Sequence, residues 1–229
     1  MSTFRHAHAG GGDWAEIARD CARQLEPLPE GANLGFLYVT DALAEDLASI
    51  LTFLRQTSDV EEWVGTVGLG ICGGAQEYHD DPAAAALVGA FPENAFKVFP
   101  VLRGGLGDMP AAVRGWADAG AAPFAVAHGD PYNNRLPEIL EEAASGLSSF
   151  IVGGLTASRG KQAQIADGLT EGGVSGVAAV PDLRVRAVAL GQVSARFGIP
   201  HRCGHQRVER FLMEFKIGFS LLLKLVVWN

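Results

Sequence analysis

The chain has 229 residues, 48% of them hydrophobic and 19% charged, with 26 acidic against 18 basic side chains and a formal net charge of −8. This is too apolar for intrinsic disorder, and long enough to bury a core without disulfide or metal staples. The acidic balance, with no clustered basic face, argues against a nucleic-acid partner, which would require such a face to neutralise phosphates.

Residues 4–9 predict a short strand closed by Gly10, Gly11 and Gly12. Asp13 is a good N-cap for a helix whose apolar positions Trp14, Ile17, Ala18, Cys21, Ala22 and Leu25 follow the helical period up to Pro27 and Pro29. Residues 34–39 are almost continuously apolar, the signature of a strand buried on both faces. Asp41 is predicted to cap a second helix carrying Leu43, Leu47, Ile50, Leu51 and Leu54 in one stripe, and residues 64–71 predict a glycine-dense third strand. The β-α-β-α-β order implies a sheet with crossover helices.

Residues 83–91 and 96–102 are apolar runs separated by Pro92, Glu93 and Asn94, and predict a hairpin; the four alanines of the first also suit a helix. A helix over 110–119, a strand over 124–127, a helix over 136–144 and a strand over 150–152 follow. Strands are then expected at 162–166, 173–180 and 183–190, the last two joined by Pro181-Asp182 as a tight hairpin. The expected fold is mixed α/β of the α+β type, a layered β-sheet with packed helices and a hairpin-rich C-terminal third. It is neither a simple Rossmann sheet nor an eightfold barrel.

Several short motifs invite chemistry. Residues 68–73 match G-x-G-x-x-G after a strand, with Glu93 placed for a ribose, but residues 74–82 start no helix to receive a pyrophosphate, so a glycine turn is the better reading. Residues 154–161 have one residue too many between their glycines for a phosphate-binding loop, and Gln162 replaces the Ser or Thr that would hold magnesium. His6 and His8 share one face of the first strand, the opening of a metal-dependent hydrolase site that could use Asp130 as a further ligand. A solvent-facing edge strand explains the same pair. His128-Gly129-Asp130-Pro131 ends a strand where α/β sheets bind ligands, and Asp-Pro is equally a turn sequence. The turn is preferred, with ligand contact through backbone and Asp130.

Three widely spaced cysteines (Cys21, Cys72, Cys203), odd in number and without a CxxC pair, suggest neither a disulfide framework nor a zinc knuckle, and the N-terminus lacks the pattern of a signal peptide. A cytoplasmic location without a membrane span is expected. The composition breaks near the end: all 34 alanines precede residue 196, and residues 196–229 carry six basic against two acidic side chains, so the tail is +4 and the body −12. Residues 201–229 are read as an atypical basic and apolar tail, out-of-frame or otherwise aberrant. If native, Phe211, Phe215, Phe219 and Leu222 would form one helical stripe.

Taken in order, the strand at 35–39 with its helix, the glycine-rich turn 68–74 containing Cys72, Asp130-Pro131, Gly153-Gly154-Leu155-Thr156-Ala157 and the expected hairpin 172–190 leading to Gly191 and Gly198 resemble the N-terminal FIST domain. The likeness covers residues 4–200. It implies a non-enzymatic sensory domain that binds a small ligand, an amino acid or related metabolite, and passes occupancy to a downstream signalling partner. Ligand-contacting positions are placed not by the resemblance but at glycine turns and strand ends, at Cys72, Gly73, Gly74, Asp130, Pro131, Gly153 and Gly154, with no metal or required cofactor. Some members resemble haem-based gas sensors, which makes haem an alternative ligand with a histidine on its iron. A C-terminal FIST half normally follows and is not found here.

Overall fold

The computed structural model describes residues 4–120, 124–179, 185–191, 213–217 and 221–227, with side chains over 4–118 and 124–179. In chain order the first elements are β1 (Phe4–Gly10), α1 (Trp14–Leu25), β2 (Leu34–Thr40), α2 (Leu47–Ser58), β3 (Glu62–Gly68), β4 (Gly70–Gly73), β5 (Gln76–His79) and β6 (Ala83–Gly89). They are followed by β7 (Phe96–Leu102), α3 (Ala111–Gly120), β8 (Phe124–Gly129), α4 (Leu136–Gly146), β9 (Phe150–Leu155), β10 (Gln164–Ala166), β11 (Gly168–Thr170) and β12 (Val174–Ala179). Three further strands, β13 (Val185–Gly191), β14 (Met213–Ile217) and β15 (Leu221–Val227), make a separate antiparallel sheet with β15 in the middle.

Two sheets form the body. One has the order β1-β6-β2-β3-β10-β11, the other β7-β12-β8-β9. Residue parity decides what each face meets. Leu37, Val39, Trp63, Ala84 and Ala86 pack under α1 and α2, whereas their neighbours Phe36, Tyr38, Val64, Ala85 and Leu87 meet Phe96, Val126, Val152 and Val177 of the second sheet. The outer face of that second sheet buries Phe99, Ala125, Ala127 and Ala178 against Val113, Ala117, Ile139 and Ala143 of α3 and α4. The result is four layers, helix-sheet-sheet-helix. A strand sandwiched this way must be apolar on both sides, and all seven residues of β2 are buried.

The two halves are built alike. In each, three parallel strands joined by two helices (β1, β2, β3 and β7, β8, β9) receive a later antiparallel strand, β6 or β12, between the first and second. Registers agree as well: Leu34 faces Gly89 and Tyr38 faces Ala85 in the first half, Phe124 faces Ala179 and His128 faces Ser175 in the second, each a displacement of 90 residues. Gly65 pairs with Leu37 and Gly153 with Ala127, and a Cβ on either glycine would lie 1.7 Å from that partner's carbonyl oxygen. The same backbone approach therefore requires glycine at the same place in both repeats.

Several expectations are corrected. Residues 83–89 and 96–102 are strands but not a hairpin: β6 inserts between β1 and β2 while β7 starts the second sheet. Both edges of β12 are taken by β7 and β8, so residues 185–191 cannot pair with it and join β15 instead; Pro181-Asp182 lies outside the described residues. The strand over 64–71 is broken at Leu69, and the acidic stretch after it returns as the β4-β5 hairpin. Asp13 caps α1 with a reciprocal capping box to Glu16, but Asp41 does not cap α2, which begins only at Leu47 after a short turn. In the tail, Phe215 and Leu222 lie on strands, not on a helical stripe; Phe211 and Phe219 are outside the described residues. Among the described residues no helix is long and apolar enough to cross a membrane.

Candidate functional site

The carboxyl ends of β2, β3, β8 and β9 meet between the two sheets, and here the interior turns from apolar to polar. Register places His8, Ala85, Tyr38, Thr66 and Gln164 in one row across the first sheet. Facing them on the second sheet are Ser175, His128 and Gly154. The layer is held by cross-sheet hydrogen bonds: Tyr38 Oη to His128 Nε2 at 3.0 Å, Thr66 Oγ1 to Thr156 Oγ1 at 2.7 Å, and the Ser175 hydroxyl donating to Gln164 Oε1 at 2.7 Å. The Gln164 amide donates onward to Thr156 Oγ1 and to the Gly173 carbonyl.

Tyr38 and His128 occupy equivalent positions of the two repeats. The pair therefore joins the two repeats at matching points of their sheets. Its chemistry is unusual. His128 is 2% exposed, and its Nδ1 has no hydrogen-bond partner among the described residues. Whichever tautomer is present, one buried ring nitrogen is left with an unmet proton or lone pair. Burial pushes the imidazole pKa down to about 4 and the Tyr38 hydroxyl upward, so both are neutral at pH 7.

The chain crosses between sheets beside this layer. Thr156 N–H donates to Gly129 of the second sheet, while Ala157 N–H donates to Val67 and Val67 N–H to Ala163 of the first. Arg159 in that crossing loop clamps Asp41 through Nε and Nη2 at 2.7 and 2.8 Å and reaches Asp80 at 3.0 Å. The guanidinium holds the Asp41 carboxyl below its usual range. That ion pair is what Asp41 makes in place of a helix cap.

The residues expected at a ligand site fall into two groups. Asp130 and Gly154 lie beside His128, Gly154 as its register partner. The Asp130 carboxylate accepts the backbone N–H groups of Tyr132 and Gly172, which holds the Asp130-Pro131 turn against the entry to β12. Gly153 is occupied with the Ala127 carbonyl. Cys72 is buried, and Gly73 and Gly74 lie over the imidazole of His8, whose Nδ1 is 2.7 Å from Tyr78 Oη. His8 is two strands from Tyr38 along the row, about 10 Å. Tyr38, Thr66, Thr156, Gln164 and Ser175 belong to the layer although no sequence motif marks them. The 90-residue displacement is the available signal, but with different residues at most matched positions it carries little weight in one dimension.

Two alternatives can be tested on this geometry. His6 and His8 do share a face, but among the described residues no three His, Cys, Asp or Glu side chains are grouped to hold a metal, and Asp130 is engaged elsewhere. For haem, His128 is 2% exposed with its Nε2 3.0 Å from Tyr38 Oη, and His8 Nδ1 is 2.7 Å from Tyr78 Oη, so each of these imidazoles has one ring nitrogen already engaged.

The profile of the FIST N domain matches residues 33–198, beginning at β2, so it takes in the first repeat without β1 and α1 and all of the second. The chain belongs to the FIST N domain family. A search of curated proteins finds no match. FIST domains are sensory modules of signal transduction that respond to small molecules.

Proposed function

We propose that this FIST domain binds a small polar metabolite, an amino acid or a close relative, between its two repeats at the Tyr38-His128 layer, and relays occupancy as a change in how the repeats pack. One observation carries the reading: the orphan Nδ1 of His128. An unmet polar group in a closed interior costs about 1–3 kcal/mol, and a ligand that supplied the missing partner would recover that energy. Asp130 and Pro131, with Gly153 and Gly154, frame the His128 side of the site. The Cys72-Gly73-Gly74 turn over His8 frames the other. Because the layer is closed, entry requires the sheets to part, and a ligand favouring the parted state shifts that equilibrium by its differential affinity. The output passes to a downstream signalling partner.

Thermal denaturation in the presence of amino acids and related metabolites tests this. A ligand at one hundred times its Kd stabilises the native state by about 2.7 kcal/mol. The stabilisation should be lost in His128→Phe, which fills the space without a hydrogen-bonding nitrogen. A full metabolite panel without any shift, or a shift that His128→Phe leaves intact, overturns the assignment.

A further inference from the structure

Sheet edges expose unpaired N–H and C=O groups, and natural proteins blunt them with charge, proline, bulges or brevity. Three of the four edges in the body follow this rule. β1 carries Arg5 and His6, β11 has three residues, and β7 carries Lys97 and Pro100 with a register break against β12. The fourth, β9, reads Phe-Ile-Val-Gly-Gly-Leu, with no charge and no proline. Among the described residues it pairs only with β8; β14 and β15 come near it without joining its sheet.

Its counterpart in the first repeat shows what such an edge accepts. The outer edge of β3 is covered by the antiparallel strand β10, with Ile165 opposite Gly65, the equivalent of Gly153. Val67 there is fully buried; Leu155, which matches it, is 40% exposed, and Phe150 at the other end of β9 is 66% exposed.

We infer that β9 is a self-association edge and that its occupant is β9 of a second copy, paired antiparallel about a two-fold axis through Val152. The sequence of the strand is self-complementary in that register. A two-fold axis normal to a sheet keeps each residue on its own face, so pairs must have the same parity, and centring on Val152 sets Phe150 opposite Gly154 and Ile151 opposite Gly153 of the other copy. Each large side chain then lies over a glycine that leaves it room, the arrangement by which aromatic neighbours shield strand glycines. The two four-stranded sheets become one continuous sheet of eight.

Sedimentation equilibrium of the full chain should give a particle of about twice the 24.1 kDa monomer mass at micromolar concentration. Phe150→Lys changes a solvent-exposed position and should leave the circular dichroism spectrum unchanged while weakening association roughly tenfold or more. Leu169→Lys on β11 should leave association intact. In a Cys203→Ser background, Val152→Cys should form a disulfide-linked dimer on mild oxidation, since directly opposed strand residues lie within disulfide range. A wild-type chain that stays monomeric at roughly 100 μM, as it would if its own C-terminal strands closed the edge, overturns the proposal. So does a dimer unaffected by Phe150→Lys, or a Val152→Cys dimer that never cross-links.

Discussion

The buried imidazole of His128 makes a quantitative statement about acid stability. Its pKa is about 4 in the folded chain, against about 6.5 when unfolded. The unfolded state therefore takes up a proton on acidification before the native state does. Stability from this group is complete above about pH 6.5, declines as the pH falls, and reaches its full loss below about pH 4, a total of about 3 kcal/mol. At pH 5 the expected loss is about 2 kcal/mol relative to pH 7.5, which for a domain of this size lowers Tm by about 4–8 °C. Asp167 and Glu62, whose carboxyls are raised chiefly by burial, act in the opposite direction, so the wild-type curve alone does not isolate His128. The comparison with His128→Gln does. Glutamine keeps a polar group near Tyr38 and carries no titrating proton, so its Tm should fall less between pH 7.5 and pH 5 by that amount. Melts followed by circular dichroism in matched buffers give the difference directly. Equal acid sensitivity in both proteins would refute the buried, neutral histidine and with it the energetic case for the site.

Gly65→Ala and Gly153→Ala should be comparably damaging, each costing about 3 kcal/mol or more in urea unfolding, because both would push a Cβ into a neighbouring carbonyl oxygen; tolerance of either one would break the equivalence of the repeats. Arg159→Ala takes the guanidinium from the Asp41 carboxylate, whose side chain is 4% exposed, leaving it the backbone N–H of residue 159, and should lower the urea midpoint at pH 7. Since Asp41 is held low by its partner, that difference should persist above the ordinary carboxylate range and close as the pH falls below it. Thr66→Val removes the hydroxyl that bridges to Thr156 and should cost about 1 kcal/mol by the same unfolding assay.

Much of this molecule is determined locally. The capping box at Asp13, the apolar stripe of α1, the unbroken apolar run of β2 and the turn at Asp130-Pro131 each follow from a few neighbouring residues, because propensity, period and turn chemistry act over short stretches. So does the mixed α/β class. Partner choice does not act locally. Residues 83–89 look the same whether they pair with 96–102 or slip between β1 and β2. Only the second arrangement buries both of their faces, with Ala84 and Ala86 under helices and Ala85 and Leu87 against the other sheet. Asp41 reads as a cap until Arg159, 118 residues later, is brought to it. Likewise His128 is a histidine beside a turn until the second repeat folds onto the first and sets it on Tyr38. Composition alone describes one acidic globular chain. The tertiary structure resolves its body into two matching halves, and Tyr38, Thr66 and Gln164 of the first sheet find their partners His128, Thr156 and Ser175 only when the second folds onto it.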